Sequence, residues 1–119
     1  MAVTAVQLDV GGTVLAAELD DNPTARALLA LLPITLTLHD FNETEKVADL
    51  PRRLPVNGAP DFATPRTGDI AYYAPWGNLA IYYRGFRSSP GLVVLGRITS
   101  DLRTLSGAAN GTAATLVTA

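Results

Sequence analysis

The chain has 119 residues, 48% of them apolar and 17% charged, which supplies one hydrophobic core and excludes intrinsic disorder. Nine basic residues against eleven acidic ones leave a net charge of −2, and Arg26, Lys46, Arg52, Arg53, Arg66, Arg84, Arg87, Arg97 and Arg103 are scattered. With no stripe to neutralise a run of phosphates, neither a nucleic-acid nor a membrane-surface partner is expected.

Cysteine is absent and His39 is the single histidine, which excludes a disulfide framework, leaves no cluster for a metal and implies no cofactor. The residues from Met1 to Asp9 have no basic flank, and Gln7 and Asp9 interrupt them before an apolar run of signal length develops. No stretch has the length of a membrane helix, so a cytoplasmic location is the expectation.

Residues 3–10 alternate, with Val6, Leu8 and Val10 on one side, the period-two pattern of a half-buried strand. Gly11 and Gly12 supply the positive φ angles of a tight hairpin, and Leu15, Ala17 and Leu19 continue the apolar side in a second strand. Asn22 before Pro23 predicts a helix start, and Ala25, Leu28, Leu29 and Leu32 form one stripe that Pro33 ends. Ile34, Leu36 and Leu38 alternate in a third strand, and residues 45–50 make a fourth. Residues 51–68 hold four prolines and two glycines and read as an irregular connection, long enough to suggest a binding loop. Residues 70–74 and 79–84 predict a hairpin around Pro75-Trp76-Gly77-Asn78, with Gly77 or Asn78 taking the left-handed position. Residues 92–99 are nearly all apolar, as in a strand buried on both faces. Ser100 is expected to cap a short helix carrying Leu102 and Leu105 and closed by Gly107, and residues 115–118 predict a last strand.

Eight short apolar strands cannot leave their edges open without aggregating, so the expectation is an all-β fold: a closed eight-stranded barrel. The two isolated helices are then suited to cap its mouths. There is no linker or repeat, so residues 1–119 read as one domain, a monomer or weak homodimer.

The segment Gly68-Asp69-Ile70-Ala71-Tyr72-Tyr73-Ala74-Pro75-Trp76-Gly77-Asn78-Leu79-Ala80-Ile81-Tyr82-Tyr83, followed by Gly91-Leu92-Val93-Val94-Leu95-Gly96-Arg97-Ile98, resembles the small bacterial and archaeal cyclophilin-like proteins. Leu50-Pro51-Arg52-Arg53-Leu54-Pro55 resembles their Leu-Pro-x-x-Leu-Pro element. The resemblance spans residues 31–99 and implies an eight-stranded cyclophilin-like β-barrel with two capping helices. The patterns that give a catalytic cyclophilin its chemistry, an arginine in a Phe-His-Arg setting and a Phe-x-Met-Gln-Gly-Gly-Asp strand, are missing: the only methionine is Met1, and His39 is followed by Asp40 and Phe41. The arginine matters because the peptide C–N barrier is about 18–20 kcal/mol, and a guanidinium donating to the prolyl nitrogen weakens the resonance behind it.

Arg52 and Arg53, at the start of the proline-rich loop, are candidates to place a guanidinium at a groove rim, Arg53 foremost, against the alternative of two solvated surface arginines. Tyr73, Tyr82 and Arg84 fall on one face of the hairpin, opposite Tyr72, Ile81 and Tyr83, with Trp76 at the tip and Phe86 just beyond. That face is either an amphipathic recognition platform or a satellite core beneath the 51–68 loop. His39 is expected on a solvated strand face, and Asp40, Glu43 and Glu45 in a solvated turn without the regular spacing of a calcium loop.

Two functions stay open. One is a non-catalytic binding module for a peptide or small apolar ligand in a groove of Arg53, Tyr73, Trp76, Tyr82, Arg84 and Phe86. The other, carried by the fold resemblance, is a divergent peptidyl-prolyl cis-trans isomerase.

Overall fold

Ten strands and two helices follow one another along residues 3–119, the part of the chain that the computed structural model describes. In chain order they are β1 (Thr4–Val10), β2 (Thr13–Leu19), α1 (Pro23–Leu29), β3 (Ile34–Phe41), β4 (Glu45–Asp49), β5 (Phe62–Ala63), β6 (Asp69–Tyr73), β7 (Asn78–Tyr82), β8 (Ser89–Pro90), β9 (Leu92–Ile98), α2 (Arg103–Ser106) and β10 (Thr112–Thr118). Eight of them close an antiparallel barrel in the order β1-β10-β3-β4-β7-β6-β9-β2, the architecture expected from the alternating segments. The remaining two, β5 and β8, pair as a short separate ribbon, so the proline-rich connection is irregular except where Phe62 and Ala63 meet Pro90 and Ser89. Met1 and Ala2, the start of the segment expected to lack a signal, lie outside the described residues.

Local chemistry explains the register. Gly11 and Gly12 have φ of 57° and 99°, the pair of positive values that a two-residue turn between Val10 and Thr13 requires. In the β2–β9 seam the backbones approach so closely that a Cβ on Gly96 would lie 2.0 Å from the Glu18 carbonyl oxygen; no other residue type fits there. The final strand begins at Thr112, earlier than the sequence pattern suggests, and closes the cylinder by pairing with both β1 and β3.

The two helices depart from expectation at their ends. Asn22 caps α1 as predicted, its side chain accepting from the Ala25 amide at 2.8 Å. The helix stops at Leu29, however, and the Leu31 and Leu32 amides donate three residues back to Leu28 and Leu29, a tighter final turn that Pro33 does not let continue. Ser100 does not cap α2. Its hydroxyl accepts from the Ala16 amide at 3.0 Å and prolongs the β2–β9 seam, and the Asp101 carboxylate takes the Arg103 amide at 2.8 Å instead.

Because α1 leaves the end of β2 and α2 leaves the end of the antiparallel β9, the helices lie at opposite mouths. Ala25 and Leu28 of α1 and Leu105 of α2 are buried in the same core as Leu8, Leu19, Leu38, Leu95 and Leu116. None of the helices among the described residues is long and apolar enough to cross a membrane.

A candidate binding cleft on the outer face

Strand pairing lays out the outer surface of the barrel in rows. Phe41, Glu45 and Tyr82 are cross-strand partners in β3, β4 and β7; Val47, Ala80, Ala71 and Val94 form the next row; Asn78, Tyr73 and Leu92 the third. Ala71 and Ala80 are buried on this face, where Ala63 of the β5–β8 ribbon packs against them, making a second core with Tyr82 and Leu92. The satellite core expected beneath the loop is present, and beside it an open cleft remains.

The cleft encloses about 210 Å³. Trp76 sits on the β6–β7 turn, where Gly77 takes the left-handed conformation (φ 65°), while Phe41 comes from the β3–β4 hairpin at the opposite mouth. The two rings lean together over the sheet with centroids 5.5 Å apart and planes at 83°, and Tyr73 meets Trp76 at 5.3 Å and 82°. These edge-to-face contacts hold three aromatic walls in a fixed arrangement. Phe86 and Ser89 add a further side. Trp76 is 56% exposed, Phe86 37% and Phe41 36%, whereas the floor residues Tyr82, Asn78 and Glu45 are 3%, 6% and 7% exposed.

That floor is polar and incompletely partnered. Glu45 enters none of the ion pairs among the described residues. Burial raises its carboxyl above the ordinary value of 4.5; the Tyr82 hydroxyl opposes that shift and the Asp40 charge reinforces it. Burial, and then the Glu45 charge, push the Tyr82 hydroxyl far above its ordinary value of 10.0. Asn78 also lines the cleft, and its Oδ1 is the one buried side-chain oxygen without a hydrogen-bond partner among the described residues.

Of the residues singled out from sequence, Tyr73, Trp76, Tyr82 and Phe86 line this cleft together. The two arginines stand outside it. Arg53 donates from Nη1 to the Ala74 carbonyl at 2.8 Å and packs against Gly77, bracing the turn that carries Trp76. Arg84 lies 5.9 Å from the centre of the Tyr83 ring on another face. Phe41, Glu45 and Asn78 were not among the candidates, although the outward phase of β4 and its pairing with Tyr82 place Glu45 here.

The solvated acidic turn expected around Asp40 to Glu45 needs correction. Glu45 is buried, and Asp40 accepts from the Tyr83 hydroxyl and pairs with Lys46, whose Nζ lies 3.3 Å away and donates to the Ala108 carbonyl at 2.7 Å. The Tyr83 bond, with Lys46 and the Glu43 amide assisting, holds the Asp40 carboxyl below its usual range. Burial and the Asp40 contact push Tyr83 up to about 12. His39 is exposed beside Thr35 and Thr37.

Size alone does not single out the aromatic cleft. A depression of about 240 Å³ lies between the start of α1 and residues 57–60, and another of about 270 Å³ beside His39. Neither has aromatic walls, and no buried, unpartnered polar group lines them. Among the described residues no group of three or more His, Cys, Asp or Glu side chains is placed to hold a metal ion.

Comparison with known proteins agrees with this architecture. The model of the cyclophilin-like family matches residues 8–117, and the chain belongs to that family. A particular relative by structure is a hypothetical protein from Archaeoglobus fulgidus, whose solution structure superposes with a TM-score of 0.77 at 20% sequence identity over 98% of this chain and 95% of that one, a likeness of fold. No curated protein matches the chain.

Proposed function

We propose that this cyclophilin-like barrel is a non-catalytic binding domain, and that its outer cleft between Phe41, Tyr73, Trp76 and Phe86 holds a small molecule, or one side chain of a peptide, with an apolar body. The observation that carries this reading is the contrast within the cleft: exposed aromatic walls in edge-to-face contact above a buried floor where the Asn78 Oδ1 lacks a hydrogen-bond partner and Glu45 lacks a counter-charge among the described residues. Aromatic side chains dominate recognition sites because they present large rigid surfaces at low entropic cost. At about 210 Å³ the cleft is smaller than the roughly 300–1,000 Å³ usual for drug-sized ligands, which favours a compact occupant.

The isomerase reading rests on the barrel alone. Its chemistry needs a guanidinium aimed at a prolyl nitrogen, whereas Arg53 is bonded to the Ala74 carbonyl and Arg84 faces Tyr83. A protease-coupled assay on a proline tetrapeptide is expected to show no acceleration of an exchange that takes tens to hundreds of seconds uncatalysed.

The binding reading is tested by titrating the protein with 2-phenylethanol while amide chemical shifts and the fluorescence of Trp76, the sole tryptophan, are followed. Shifts concentrated at Phe41, Trp76, Asn78 and Phe86, abolished by Phe41→Ala with Trp76→Ala, are expected. Shifts centred on residues 57–60, or none, overturn it. Tyr82→Ala is unsuitable for this purpose, because Tyr82 belongs to the second core and its loss disturbs folding as well as the floor.

A further inference from the structure

Beyond an apolar body, the floor of the cleft specifies a charge. Glu45 is more than nine-tenths buried, faces the cleft, and has no basic partner among the described residues: Lys46, next to it in sequence, points to the other side of β4 and is bound to Asp40 and Ala108. A buried carboxylate without a counter-charge is unfavourable, and is ordinarily neutralised by protonation or by a cation. Above it stand the faces and edges of Phe41, Tyr73 and Trp76, and aromatic faces attract cations through their quadrupole. An aromatic enclosure over a carboxylate that the Tyr82 hydroxyl meets but no counter-charge balances suits a positive, hydrogen-bond-donating head on an apolar stem.

We propose that the cleft binds an organic ammonium or guanidinium group, whose N–H donates to the Glu45 carboxylate while its stem lies over Val47 between Phe41 and Trp76. This rests on the reading of the cleft as a binding site and adds the chemical class of its occupant. Asn78, at the other end of the cleft, offers a second acceptor to a donor further along the stem. A free amine and the side chain of lysine or arginine in a peptide share this chemistry.

The test compares 2-phenylethylammonium, 2-phenylethanol and N-acetyl-lysine methylamide on the intact chain at pH 7.5 and 150 mM salt. Chemical-shift titration gives both the site and the dissociation constant. The ammonium is expected to bind at the cleft about tenfold or more tightly than the alcohol of the same shape. In Glu45→Gln that preference is expected to shrink to within about twofold with alcohol binding retained, while Asp61→Asn, which removes one exposed charge elsewhere, keeps it. Tighter binding of the lysine derivative than of the free amine assigns the occupant to a peptide side chain, and the reverse assigns it to a small amine; either order, with the preference over the alcohol, supports the proposal. Equal affinity for ammonium and alcohol at the cleft overturns it and leaves the apolar binding site standing, a conclusion the wild-type protein gives even if the Gln variant fails to fold. No shifts at cleft residues with any of the three compounds overturn both.

Discussion

Tyr72 and Tyr82 lie on the two paired strands of one hairpin, both nearly inaccessible, yet on opposite faces of the sheet. Tyr72 points into the barrel, and its hydroxyl accepts from the Leu54 amide at 3.1 Å, tying the proline-rich loop to the core. Tyr82 points outward beneath the β5–β8 ribbon, at the edge of a cleft that it shares with the unpaired Glu45. The inner face is a finished interior: apolar side chains filled to contact and a polar atom with its partner. The outer face is unfinished, and the same pleat that buries Ile70, Leu79 and Ile81 on one side leaves, on the other, the Asn78 Oδ1 without a hydrogen-bond partner and Glu45 without a counter-charge among the described residues. Burial with satisfaction marks stability, and burial without it marks a place kept for something else.

Mutations can sharpen that contrast. The largest effect is expected for Leu79→Ala on the inner face, a loss of about 3 kcal/mol in urea unfolding from the vacated volume, with cleft binding weakened only through the unfolded fraction. Tyr72→Phe strands the Leu54 amide and is expected to cost about 1–3 kcal/mol, whereas Tyr82→Phe should cost less; equal losses would erase the distinction between the faces.

Glu45→Gln is expected to change the pH dependence of stability more than its magnitude. A carboxyl raised above 4.5 in the folded state contributes most when protonated, so its contribution falls as pH rises from that value through the raised one. The variant should therefore match wild type near pH 4 and exceed it in urea midpoint near pH 8. Tyr82 and Tyr83, shifted upward, and Asp40, shifted downward, titrate outside the span between those two pH values, so the difference between the two proteins reports Glu45. A variant less stable than wild type at pH 8 would show that the carboxylate serves the fold. The smallest stability change, within about 1 kcal/mol, is expected for Trp76→Ala, since its ring is exposed and loses only edge-to-face contacts.

Much of the barrel was legible in the residues. Alternation in Val6-Leu8-Val10 and Leu15-Ala17-Leu19, the Gly11-Gly12 turn and the Asn22 cap are local signals, and the structure follows them. The phase of the hairpin was legible too, setting Tyr73 and Tyr82 apart from Tyr72 and Ile81. What failed was non-local. Ser100 looked like a cap because the seam that claims it, Ala16, is 84 residues away. Glu45 looked solvated because three charged or hydroxyl-bearing neighbours precede or follow it, and its burial comes from its hairpin partner Phe41 together with Tyr82 and Phe86, which a distant part of the chain brings in. Arg53 looked like a rim residue, whereas the Ala74 carbonyl that holds it becomes its neighbour only when the β6–β7 turn folds over.

The most direct test is an intermolecular NOE experiment on the protein with 2-phenylethylammonium. Contacts from the aromatic ring of the compound to Phe41 and Trp76, and from the methylene beside its nitrogen to protons of Glu45 and Tyr82, are the expected result. Contacts to Pro23, Gly58 and Val94 in the neighbouring depression, or none to the aromatic walls, would contradict a receptor site on the outer face of the barrel.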